Sequence, residues 1–81
     1  MRAYLLIQTE PGKAESVARE IRSHPGVASA EAVTGSWDVI VEVDAGDRGL
    51  DELGTFVVND IQKVVGITRT LTCPVVKIHG Q

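Results

Sequence analysis

The sequence predicts an α+β sandwich of order β-α-β-β-α-β, with one four-stranded antiparallel sheet and two helices on one of its faces. Three observations predict it. Two segments carry apolar residues at helical spacing: Ala14, Val17, Ala18 and Ile21, then Leu50, Leu53, Val57, Ile61 and Val64. Four other segments are short, rich in aliphatic residues or Thr, and bounded by Pro or Gly. The second half also echoes the first, because the helix exit Pro25-Gly26-Val27 is matched by Val65-Gly66-Ile67, each leading into a strand. Two split βαβ units side by side form a ferredoxin-like sandwich of the dimeric α/β-barrel type.

The elements follow in order. Ala3–Thr9 (AYLLIQT) reads as a strand stopped by Glu10-Pro11-Gly12. Lys13–His24 reads as a helix with one apolar stripe and a Glu15–Arg19 pair on its surface. His24-Pro25-Gly26 ends it, since Pro cannot continue a helix and Gly tolerates the reversal. Val27–Thr34 alternates weakly as a second strand, and Gly35-Ser36 fits a two-residue hairpin turn. Trp37–Asp44 (WDVIVEVD) is the clearest strand, with Trp37, Val39, Val41 and Val43 expected on one face. After a loop, Asp47 is a candidate N-cap for a helix running to Lys63, in which Gly54 and Phe56-Val57-Val58 are poor helix formers. Ile67–Ile78 is the last strand, with Thr68, Thr70 and Thr72 on one side and Pro74 suited to an edge position. The first and third strands are the most apolar, which places them centrally.

Composition narrows the function. The chain has 81 residues, 43% of them hydrophobic and only 4% aromatic, so its core must be aliphatic. It is one small domain, and a domain of this size gains readily from self-association. Tyr4 and Leu6 on one side of the first strand, and Leu5 and Ile7 on the other, are all apolar. The sheet face left free by the helices therefore calls for a partner, and a homodimer formed sheet against sheet is the economical one. Eight Lys and Arg against eleven Asp and Glu leave a net charge of −3, with no basic stripe to neutralise phosphates, so direct nucleic-acid binding is not expected. One cysteine, Cys73, rules out an intrachain disulfide and a multi-cysteine metal site, and a buried, inert thiol is the expectation for it. No apolar run reaches membrane-spanning length and no signal peptide is evident, which points to a cytoplasmic protein.

Catalytic patterns are missing. His24 and His79 are far apart, the four serines lie in no nucleophile-elbow pattern, and Gly46-Asp47-Arg48-Gly49 lacks the Lys-Ser/Thr end of a phosphate loop. No enzyme, no metal site and no cofactor are expected. One constellation stands out, Thr34-Gly35-Ser36-Trp37-Asp38. Backbone N–H groups at a glycine hairpin tip can hold a carboxylate, Asp38 can accept from an ammonium, and Trp37 can wall the site. Those three functions suit an amino acid. The same residues also fit a plain turn, with Asp38 capping it and Trp37 filling the end of the core.

The chain resembles the effector-binding (RAM, regulation of amino acid metabolism) domain of the Lrp/AsnC family of transcriptional regulators. The resemblance rests on Ala3-Tyr4-Leu5-Leu6-Ile7, Pro11-Gly12, His24-Pro25-Gly26-Val27, Thr34–Asp38 followed by Val39–Val43, and Gly66–Thr70. It implies a domain that dimerises through its sheets, with dimers associating into an octamer or decamer ring. It implies amino acid binding between dimers near a Gly-x-aromatic-Asp motif, which matches Gly35, Trp37 and Asp38 with Ser36 between them; Thr68 and Thr70 are second-rank candidates. Trp37 stands where the family usually has Tyr, and Val65 where it usually has Pro. Full-length members carry an N-terminal helix-turn-helix domain, whereas here the first strand starts at residue 3, so residues 1–81 are expected to be a stand-alone module acting through full-length partners. Two other readings remain open: a small monooxygenase-type enzyme of the same fold, marked by a cavity enclosed in one protomer, and a ligand-free assembly subunit.

Overall fold

In a computed structural model that describes residues 1–76, the chain is organised around β1 (Arg2–Thr9), which is paired on both sides. The other elements are α1 (Ala14–Arg22), β2 (Val27–Ala32), β3 (Val39–Asp44), α2 (Leu50–Phe56) with a π-helical turn at Val57–Ile61, and β4 (Ile67–Pro74). The strands form one antiparallel sheet in the order β2-β3-β1-β4, so the two most apolar strands are central, as their composition predicts.

Alternation along β1 and β3 divides the sheet into two faces. Ala3, Leu5 and Ile7 of β1 and Val39, Val41 and Val43 of β3 are buried beneath the helices. Val17, Ala18 and Ile21 of α1 complete that core together with Leu53, Val57, Ile61 and Val64. The core is aliphatic, with Phe56 only packed against its margin. Among the described residues no buried polar side chain interrupts it. The expected α1 stripe is therefore present, although Ala14 is only half-buried and the helix is shorter than the predicted Lys13–His24. The expected Glu15–Arg19 ion pair does not form. Among the described residues the salt bridge is Arg2–Glu42, at 3.1 Å.

The second helix departs further from expectation. Its N-cap is Gly49, not Asp47, and the Gly49 N–H donates to the Glu52 carboxylate at 3.2 Å. Leu50 is exposed, because it shares an outer stripe with Gly54 and Val58 rather than the inner one with Leu53 and Val57. The weak helix formers after Gly54 mark where the α-helix loosens: the Gln62 N–H reaches back five residues to the Val57 carbonyl at 2.9 Å. β4 is an edge strand in which Pro74, its last paired residue, opposes Ala3, so the proline lies where a missing N–H costs least. The ladder irregularity falls instead between Gln8 and Thr9. The predicted continuation to Ile78 is not seen as far as residue 76, and the rest of it, with His79, lies outside the described residues.

Among the described residues nothing covers the other face. Across it Leu71, Leu6 and Ile40 form one cross-strand row, and Cys73, Tyr4 and Glu42 the next. Arg2 bridges Tyr4 and Glu42, which hold its guanidinium above the ordinary arginine pKa, the Tyr4 hydroxyl contributing most. Cys73 is half-buried on this face and not enclosed in the core as expected, because its register sets it opposite Tyr4. Ile21, wholly buried at the centre of α1, is the direct test of the packing on the covered face. Ile21→Ala is expected to lose about 2–5 kcal/mol, read as a lower urea midpoint with an unchanged slope.

Candidate functional site

The site forms where β1 ends. Pro11-Gly12 turns the chain out of the strand, and the Glu10 N–H donates to the Gly66 carbonyl at 2.8 Å, drawing the start of β4 to the same place. Gly66 is tightly placed: at φ +104 it packs so closely that an added Cβ would lie 3.0 Å from that of Lys13. The β2–β3 connection arrives from the other side of β1. It is longer than the two-residue turn expected at Gly35-Ser36, because β2 stops at Ala32 and β3 starts at Val39. The Val33 N–H donates to the Asp38 carbonyl at 2.8 Å, leaving Thr34–Trp37 as a four-residue loop.

Asp38 is the junction that reshapes this loop. Its N–H donates to the Ile7 carbonyl at 2.8 Å, and its carboxylate Oδ2 accepts the Thr9 N–H at 2.8 Å. Both bonds tie the loop to the end of β1, where the register shifts and an N–H would otherwise lack a ladder partner. The capping role open to Asp38 from its sequence is therefore present. Its second oxygen, Oδ1, carries no hydrogen bond among the described residues. Ser36 is exposed, and its carbonyl accepts from Gln8 Nε2 at 3.1 Å. Gly35, at φ +132, holds a conformation that side-chain-bearing residues rarely adopt, so glycine is required there by backbone geometry rather than by space.

Trp37 does not share a strand face with Val39, Val41 and Val43, contrary to expectation. It precedes β3, is half-buried, and lies under the guanidinium of Arg69, whose Cζ is 5.5 Å from the ring centroid. The contact does not bring the threonines to the loop: Thr70, opposite Ile7, is on the helix-covered side of the sheet, and Arg69, opposite Gln8, is on the open side. Thr68 and Thr70 flank Arg69 on β4 and, with Gln62 and Ile67, line a cleft of about 320 Å³ to which Arg69 also contributes. Thr68 is exposed; Thr70, opposite Ile7, is half-buried. Sequence reasoning missed Arg69, Gln8 and Gln62. The available signal was parity, since Arg69 alternates with the threonines and pairs with Gln8 at the polar end of an apolar strand.

A second cleft, about 580 Å³ and open to solvent, lies at the opposite end of the sheet beside the start of α2. His24 stands at its wall, its ring 6.0 Å from Phe56 in an edge-to-face arrangement. Among the described residues no three His, Cys, Asp or Glu side chains converge as a metal site. No helix among them is long and apolar enough to cross a membrane.

Residues 2–80 match the family model described as the Lrp/AsnC ligand binding domain. An uncharacterized HTH-type transcriptional regulator of Pyrococcus furiosus is 30% identical over 73 residues, a match covering 86% of this chain and 47% of that protein. The chain thus spans about half the length of the curated relatives it matches. A hypothetical protein from Pyrococcus horikoshii of known structure superposes with a TM-score of 0.82 at 32% identity, covering 96% of this chain and 92% of that one. A Neisseria meningitidis transcriptional regulator, solved as an L-Met complex, shares the fold with a TM-score of 0.79 at 21% identity, over 99% of this chain and 52% of that one.

The Asp38 carboxylate can be tested as the acceptor for the Thr9 N–H. Asp38→Ala strands the Thr9 N–H and is expected to cost about 1–2 kcal/mol in chemical denaturation. Asp38→Asn keeps an acceptor for that N–H and is expected to cost clearly less, by the same measurement.

Proposed function

The chain belongs to the Lrp/AsnC ligand binding domain family, and from that premise we propose that it is an effector-binding regulatory module that takes a free amino acid beside the Thr34–Asp38 loop. The single observation that carries this reading is the Trp37–Arg69 contact, which sets a cation beside the Gly35-Ser36-Trp37-Asp38 segment where Asp38 ties that segment to the end of β1. The free Oδ1 of Asp38 offers an acceptor for an ammonium, the exposed loop backbone at Gly35 and Ser36 offers donors, and the indole supplies an apolar wall. Support for the ligand class comes from the family description and from the Neisseria meningitidis relative solved with L-Met.

The uncovered sheet face supports an assembled state. Ile40, Leu71 and the half-buried Tyr4 and Leu6 present an apolar surface at the middle of a four-stranded sheet. A second copy of the chain, or the matching face of a full-length regulator, would bury it, and dimers would join further into a ring. The candidate site lies at the rim of that face. A ligand there acts on assembly only by binding one association state more tightly than another, so the regulatory output would be a shift in oligomer population. The clefts of the single chain are surface clefts, which favours binding between protomers over an enzyme that encloses its substrate.

Thermal unfolding against each of the twenty L-amino acids at millimolar concentration tests the ligand. At least one is expected to stabilise, by ~2.7 kcal/mol where its concentration is a hundredfold above Kd, and stabilisation by none overturns the reading. Sedimentation tests the face: the wild type is expected to be dimeric or larger at micromolar concentration, and Ile40→Glu to sediment as a folded monomer.

A further inference from the structure

Arg69 differs from the other arginines in lying over an aromatic ring, that of Trp37. Its guanidinium lies 5.5 Å from the indole centroid, and among the described residues no carboxylate is within ion-pair distance of it. Asp38, next in sequence to Trp37, makes no ion pair with Arg69; its carboxylate is turned to the Thr9 N–H. A cation and an anion thus flank one indole without neutralising each other. No side-chain hydrogen bond from this guanidinium is formed among the described residues, so its N–H donors remain available in the fork geometry that matches a carboxylate. The stack also fixes the side chain, so less rotamer freedom is lost when a ligand binds. Register reinforces the placement: Arg69 opposes Gln8, and the Gln8 amide is committed to the Ser36 carbonyl, so both neighbours of the guanidinium are held by the same loop.

We propose that Arg69 is the carboxylate anchor of the site, gripping the α-carboxylate of the amino acid while Asp38 receives its ammonium. This rests on the amino acid reading and deepens it, because it assigns each of the ligand's two charges to a named side chain beside Trp37. It also assigns Trp37 a second task, that of holding the guanidinium beside the ligand. The class of ligand is then a free amino acid with an unblocked carboxylate; a primary amine or an amino acid amide lacks the group that Arg69 recognises.

The test compares acid with amide. Each L-amino acid that stabilises the wild type is titrated beside its own amide, on the wild type and on Arg69→Gln and Arg69→Lys. The wild type is expected to bind the acid at least about tenfold more tightly than the amide, as loss of a charged hydrogen-bonding pair implies. Arg69→Gln is expected to bind the acid about tenfold or more weakly and to lose the discrimination, while Arg69→Lys, which keeps the charge without the fork, falls between. Arg69 is exposed, so the unliganded variants are expected to sediment as the wild type does and to melt only slightly lower, through loss of the Trp37 contact. A weakening of acid binding without weakening of amide binding separates anchoring from a structural role. Undiminished discrimination in Arg69→Gln overturns the assignment while leaving the amino acid reading intact. A wild type that binds no amino acid overturns both.

Discussion

The register of β1 is the constraint on which the rest of this structure depends. β1 is hydrogen-bonded on both sides, and its alternation sends Ala3, Leu5 and Ile7 to the helices and Tyr4, Leu6 and Gln8 to the open face. A slip of one residue would exchange the two sets, exposing Leu5 and Ile7 and burying Gln8 in an aliphatic core. The helices hold that register, since Val17, Ile21, Leu53 and Ile61 pack on one set only. Once it is held, Thr9 meets the Asp38 carboxylate and Gln8 faces Arg69. The candidate site is a consequence of strand pairing rather than of any one loop.

The same constraint explains why the two ends of the sheet differ. At the end beside α2 the chain leaves β3 through a short loop in which the Ala45 N–H donates to the Met1 carbonyl, and the space between helices is an open groove. At the other end, three segments close on β1: the Thr34–Asp38 loop through Asp38 and Gln8, the turn after Thr9 through Glu10, and the start of β4 through Gly66. Polar groups are concentrated where backbone pairing stops, because orphaned N–H groups there need side-chain partners. A carboxylate recruited for that purpose retains a second oxygen, so a structural cap keeps an acceptor to spare. Capping and binding were competing readings of Asp38 from sequence; the geometry makes them compatible.

Much of the fold was legible because it rests on periodicity and on breakers. The helical stripes through Val17 and Ile21, and through Leu53, Val57, Ile61 and Val64, are local patterns, as is the alternation of β3. The misplaced features share one cause. The ends of β2 and β3 around Gly35, the orientation of Trp37 and the exposure of Leu50 are each decided by contacts with residues distant in sequence. A Gly-Ser pair between two alternating runs looks like a tight hairpin until β1 supplies donors and acceptors that hold the chain open.

By itself, then, the sequence determined the element order, the aliphatic core, the central position of the first and third strands and the surplus apolar face. Those properties follow from the spacing of side chains along the chain, which local backbone geometry converts directly into faces. Only the tertiary structure decided that Trp37 turns toward Arg69, that Asp38 caps β1, and that Thr68 and Thr70 stand at the same end as the loop. The reason is physical: these are pairings between strands that are not neighbours in sequence, and a side chain's partner across a sheet depends on a register that no single segment encodes.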